Sequence, residues 1–142
     1  MTGDEDPTVA REIELFPPVV VADVTGDGRD DFFVPVMCTN GGGTAGGQTG
    51  FAVEVYSGAA RQRLLGLLRP TQRYATGEVH VPYMDASGIR VNGRRVTATE
   101  LWYAAGDSDC CPSIRVQTSW AFRNGIFHHE RSSKPRHADT PD

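Results

Sequence analysis

The chain has 142 residues and a formal net charge of −4, which is length enough for one domain with a real core. The acidic balance points away from nucleic acid and anionic membrane surfaces, because negative charge repels phosphate. No stretch approaches the ~18 consecutive apolar residues of a membrane helix, and 16 Gly with 9 Pro favour short strands joined by turns.

Residues 1–11 are acidic and aperiodic, contain Pro7, and are expected to be disordered. They lack a basic region followed by an apolar core, so they do not form a signal peptide. The chain is read as either cytosolic or a mature domain whose leader has been removed. One β domain is expected over 12–131, with a disordered polar tail over 132–142. Glu12-Ile13-Glu14-Leu15-Phe16 alternates as a short strand, and Pro17-Pro18 stops it. Val19 to Ala22 leads into an acidic loop. Phe32 to Cys38 is apolar on both faces and is expected as a central strand, although Pro35 argues for an edge or a bulge.

The glycine-rich segment 39–50 lacks G-x-x-x-x-G-K-[ST] and is expected as a mobile surface loop. Phe51 to Tyr56 alternates as a strand. Arg61 to Arg69, carrying Leu64, Leu65, Leu67 and Leu68, is expected as a strand with a bulge at Gly66, with a short helical turn as the alternative, and Glu78 to Tyr83 is expected as another strand. Asp85 to Gly88 is expected to turn. Asn92-Gly93 and Asn124-Gly125 are hairpin signals. Ile114, Val116, Thr118, Trp120 and Phe122 fall on one face of a further strand. With almost no helical periodicity, the chain is predicted to be all-β: an antiparallel meander of hairpins forming a small sandwich or partly open barrel.

The loop Asp23-Val24-Thr25-Gly26-Asp27-Gly28-Arg29-Asp30-Asp31 carries the chemistry. Oxygen donors recur at alternate places: the side chains of Asp23, Thr25, Asp27 and Asp31 and the carbonyl of Arg29. Ca²⁺ takes six to eight oxygens, and a curled loop can deliver them from positions one, three, five, seven and nine, with glycine at the sixth. Val34 stands where an EF-hand has its closing Glu, and the flanks are strand-like. That leaves the loop of FG-GAP and related β-proteins. A metal-free acidic turn is the competing reading.

Three cysteines are present: Cys38, Cys110 and Cys111. Adjacent cysteines do not match zinc spacing. A disulfide from Cys38 to one of the pair is expected. A bond within the pair and three buried thiols are the alternatives. Ser113, His80, His128, His129, Asp107 and Asp109 are the pieces available to a hydrolase, and no local signature joins them. Trp102, Tyr103, Trp120 and Phe122 serve either as a ligand platform or, more commonly, as core.

Residues 21–31, Val34-Pro-Val-Met-Cys-Thr-Asn-Gly-Gly42, the alternating Phe51–Tyr56 strand and Gly106-Asp-Ser-Asp-Cys-Cys-Pro-Ser113 together resemble the actinobacterial LppP/LprE-type lipoprotein domain. The resemblance implies an extracytoplasmic domain, often behind a lipid anchor or a membrane-tethered kinase, and it implies no known catalytic activity. The function expected is a non-enzymatic, envelope-associated β-domain with structural Ca²⁺ held by Asp23, Thr25, Asp27, Arg29 and Asp31. The alternatives are a small-molecule or cell-envelope ligand module built on the glycine-rich loop and the aromatic strands, and a metal-dependent hydrolase.

Overall fold

The computed structural model describes residues 12–15, 18–39, 48–71, 82–108 and 110–137. Ten strands and no helix occur among them: β1 (Glu12–Leu15), β2 (Val20–Ala22), β3 (Asp31–Thr39), β4 (Gln48–Tyr56), β5 (Leu64–Leu68), β6 (Tyr83–Asn92), β7 (Arg95–Trp102), β8 (Ile114–Arg123), β9 (Ile126–Ser132) and β10 (Arg136–His137). They form two antiparallel five-stranded sheets, so the fold is a sandwich and not a closed barrel. The first sheet runs β1-β3-β4-β5, with β2 also on β3; the second runs β10-β8-β7-β6, with β9 also on β8.

Period-two alternation decides which side chains meet between the sheets. Phe33 and Met37, then Phe51, Val53 and Val55, then Leu68 face inward from the first sheet. Met84, Ile89, Val96, Ala98, Trp120 and Phe122 meet them from the second. The face predicted for the Ile114–Phe122 strand is therefore the core face.

β3 is central, as its two apolar faces require. Its free side carries β2 opposite Asp31–Phe33 and β1 opposite Val36–Thr39. Pro35 lies opposite the break between them, where the neighbouring edge offers no ladder partner for the N–H that proline lacks.

Both hairpin signals produce turns, in different registers. Arg123 pairs with Ile126, so Asn124-Gly125 are the two turn residues, with φ of 54° and 76°. That is the double-positive turn Asn-Gly prefers. Asn92 pairs with Arg95, so the first turn is Gly93-Arg94, with only Gly93 at positive φ (59°).

The turn expected at Asp85–Gly88 does not form. The chain stays in β6 and the irregularity becomes a register shift between Asp85 and Arg90. Asp85 Oδ1 accepts the Ser87 N–H and hydroxyl, which satisfies locally a turn signal that the strand overrides. The expected strand forms over Leu64–Leu68, and its bulge falls beside Gly66: consecutive Val55 and Tyr56 pair with Gly66 and Leu64, so Leu65 is the extra residue. Residues 136–137, within the polar tail, add β10 to the edge of β8. The expected segment 1–11, and the start of the predicted Glu78–Tyr83 strand, lie outside the described residues.

Gly58 shows how closely the loops approach. A Cβ there would lie 1.6 Å from the Asp30 carbonyl oxygen, whereas at Gly93 nothing lies within 4 Å. Gly58→Ala should therefore destabilise by about 3 kcal/mol or more through backbone displacement. Gly93→Ala should cost only ~1 kcal/mol, from its positive φ. Equal urea midpoints for the two variants would refute the close-approach account.

Candidate functional site

The acidic loop joins β2 to β3, and Val24 explains its path. Val24 is fully buried, so the loop's second residue plugs the core and the chain must curl back around it. Gly26 and Gly28, at φ of 80° and 83°, permit the curl.

The carboxylates divide into two kinds. Asp23 Oδ1 accepts the Gly26 N–H at 2.8 Å and the Thr25 hydroxyl at 3.2 Å, and its Oδ2 accepts the Gly28 N–H at 2.9 Å. The Gly28 N–H is the main cause holding the Asp23 carboxyl below the usual carboxylate range, with Gly26, Thr25 and Asp27 donors adding to it against desolvation. Asp27 is exposed, and its Oδ1 accepts the Arg29 N–H at 2.9 Å. Asp31 is fully buried. Its Oδ2 accepts the N–H groups of Val24 (2.9 Å) and Thr25 (3.2 Å), and its Oδ1 accepts that of Gly58 at 3.1 Å.

Asp23, Thr25, Asp27 and the Arg29 backbone thus share one exposed loop, while Asp31 faces the core side and ties that loop to the β4–β5 connection. A carboxylate has about four lone-pair sites, so three N–H bonds leave Asp31 at most one for an ion. Among the described residues, no group of three or more carboxylate, imidazole or thiol side chains is gathered as a metal cluster. The types and order of the oxygens match a loop for a hard cation, although by the same count Asp23, which accepts the Gly26 and Gly28 N–H groups and the Thr25 hydroxyl, also has at most one site left for an ion. The cation would coordinate through Asp23, Thr25, Asp27 and the Arg29 carbonyl, with water completing the shell.

The second constellation is the loop between β7 and β8. Asp107 Oδ2 accepts the Ala104 N–H at 2.7 Å and both the Ser113 N–H and hydroxyl at 2.9 Å, closing the loop at its base. The Ala104 N–H is the leading cause holding the Asp107 carboxyl below its usual range. The Ser113 donors and the charge of His137 act in the same direction, against desolvation.

Within this loop Cys110 and Cys111 are bonded to each other. This corrects the expected link from Cys38. Cys38 is buried in β3 of the first sheet, opposite Ile13 and Gly50, and Cys110 and Cys111 sit in an exposed loop of the second. The thiols belong to different layers.

Glu100 is a site residue that the sequence reading passed over. It is fully buried on the core face of β7, two places after Ala98. It accepts the Thr71 N–H and hydroxyl, and the Trp102 indole N–H at 2.9 Å. The alternation Val96, Ala98, Glu100 was the available signal, since it places a carboxylate inward. The aromatic platform does not form on Trp120 and Phe122, which are core. His128 and His129 pair with Ala121 and Trp120 and point to opposite faces of β9. Ser113 donates to Asp107. The glycine-rich residues 40–47, His80 and Asp109 lie outside the described residues. A groove of about 370 Å³ crosses the outer face of the first sheet, lined by Ile13, Val36, Cys38, Ala52, Leu67 and Arg69, among others.

Comparison with protein-family models, curated proteins and solved structures finds no match. No helix among the described residues is long and apolar enough to cross a membrane.

Two predictions follow from the carboxylates. Asp31→Asn should destabilise by about 2–3 kcal/mol, since an amide cannot accept N–H bonds on both atoms, whereas exposed Asp27→Asn should cost under about 0.5 kcal/mol without added metal. Denaturant titration of both variants in chelator checks this, and similar losses would count against an anchoring role for Asp31. Asp23 and Asp107 have depressed folded-state values, so their stabilisation is present above the unfolded-state value near ~3.9 and is lost as pH falls through it toward the folded value. The melting temperature should hold from neutral pH to about 5 and drop below about 4. The drop should be shallower in Asp23→Asn and Asp107→Asn. An unchanged acid limb in both would overturn the assignment.

Proposed function

We propose that this chain is a non-enzymatic, extracytoplasmic β-sandwich domain whose exposed 23–31 loop takes Ca²⁺. The observation that carries the reading is the curl of the loop. Asp23 is held by the Gly28 and Gly26 N–H groups, Thr25 Oγ1 lies 3.2 Å from Asp23 Oδ1, and Asp27 is exposed beside them. The first and third oxygens of the alternating set are already adjacent. Asp31 supports the loop from behind and Asp30 is a spare carboxylate. The ion would supply positive charge that relieves repulsion among these carboxylates and closes the mouth of the loop.

The non-enzymatic part of the reading is supported by the use of Ser113 and Asp107 as a loop clamp. The extracytoplasmic part rests on the disulfide, because such bonds persist in oxidising compartments, and on the resemblance to the lipoprotein domain. A ligand-binding module is the second reading. With Trp120 and Phe122 buried, its place is the outer groove of the first sheet, where an apolar floor meets Arg69.

Thermal unfolding of oxidised protein with excess Ca²⁺ and with chelator tests the calcium reading. A site filled to 100 times its Kd adds about 2.7 kcal/mol, so a rise of several degrees is expected, abolished by Asp27→Ala. Coincident melts in Ca²⁺ and chelator would overturn it.

A further inference from the structure

We propose that the Cys110–Cys111 disulfide is a reversible thiol–disulfide exchange site, carried on a fold that does not depend on it. A structural disulfide stabilises mainly by closing a loop of chain, and its effect grows with the number of residues enclosed. These two cysteines are adjacent in sequence. The bond encloses no intervening residue and restrains no distant segment, so a stapling role does not account for it.

The loop around the pair is held by other means. Asp107 gathers the N–H groups of Ala104 and Ser113 and the Ser113 hydroxyl, fastening both ends of the loop next to β7 and β8. The Asp107 N–H in turn donates to the Ala104 carbonyl at 3.1 Å. Opening the disulfide therefore changes the loop inside this clamp and leaves the strands in register. Cys110 and Cys111 are both exposed, unlike Cys38, so an incoming thiolate can reach them.

The two sulfurs are not equivalent. Ser108 Oγ lies 3.3 Å from Cys110 Sγ. A hydroxyl there can donate to a developing thiolate, which makes Cys110 the better leaving group and Cys111 the sulfur attacked. In the first step the thiolate of a low-molecular-weight thiol bonds to Cys111 Sγ. The Cys110–Cys111 bond breaks, and its electron pair leaves on Cys110 Sγ, which takes a proton from solvent. In the second step another thiolate attacks the small-molecule sulfur of the mixed disulfide and releases Cys111 as a thiolate, which also takes a proton from solvent. The chain gains two electrons and two protons, and two molecules of the thiol become one disulfide. The reverse sequence reoxidises the pair.

The test uses the full chain, oxidised and folded, in buffers of reduced and oxidised dithiothreitol of graded ratio, without denaturant. Quenching with iodoacetamide followed by peptide mass analysis reads the state of each cysteine. Cys110 and Cys111 should become alkylated together, should reoxidise when the ratio is reversed, and should do so equally in Cys38→Ala. The melting temperature should differ by less than about 2 °C between the two redox forms. Ser108→Ala should slow reduction by about 10- to 100-fold and leave the melt unchanged, as expected for loss of one hydrogen bond to a charged group. A pair that is reduced only in denaturant would overturn the proposal. So would a melting temperature that falls by more than about 5 °C on reduction, or a mapped bond to Cys38.

Discussion

The arrangement depends on one buried carboxylate. Asp31 is sealed from solvent at the first position of β3 and accepts three backbone N–H groups, two from the loop before it and one from the β4–β5 connection. Burying a carboxylate is costly unless its lone pairs are filled. Here they are filled by donors that would otherwise be orphaned beneath the loops. The same contact seats Val24 in the core and brings the Gly58 backbone against the Asp30 carbonyl. The acidic loop is consequently a fixed element of the sandwich, and any ion it takes meets a loop whose base is already set.

Glu100 repeats this device elsewhere in the sandwich. It stands on the core face of the second sheet and binds Thr71, just past the end of β5 in the first. Asp31 binds loops at two corners of one sheet; Glu100 links the layers. Both carboxylates replace long-range ion pairs with short bonds to neutral donors, which fix direction as well as distance. Asp107 and Asp23 do similar work at the surface, where solvent competes.

Much of the fold was legible because it rests on period-two alternation. Phe51–Tyr56 and Ile114–Phe122 show their core faces directly, and Asn124-Gly125 forms the turn its φ preferences demand. The failures share a cause: a local signal was outweighed by a contact distant in sequence. Asp85–Gly88 looks like a turn, but pairing with β7 on both sides of it holds the strand. Asn92-Gly93 shifts by one residue because strand register is set by the core residues it must bury. The acidic loop was legible as a loop with alternating oxygens. That Asp31 turns inward was not, because its third donor, Gly58, lies 27 residues away. The cysteine pairing turned on which layer holds Cys38, which spacing alone does not tell.

The broken strands have a consequence for how the molecule meets copies of itself. An exposed sheet edge is a template for a foreign strand only where N–H and C=O groups run on without interruption. In the first sheet one edge consists of β1 and β2 with Pro18 between them, and the other is the five-residue β5. In the second, one edge is split between β9 and β10, and the other, β6, carries the register shift at Asp85–Arg90. Among the described residues, each edge is short, divided or bent. A β-rich chain built this way resists growing into intermolecular cross-β ribbons, and it does so through backbone irregularity without relying on a charged coat.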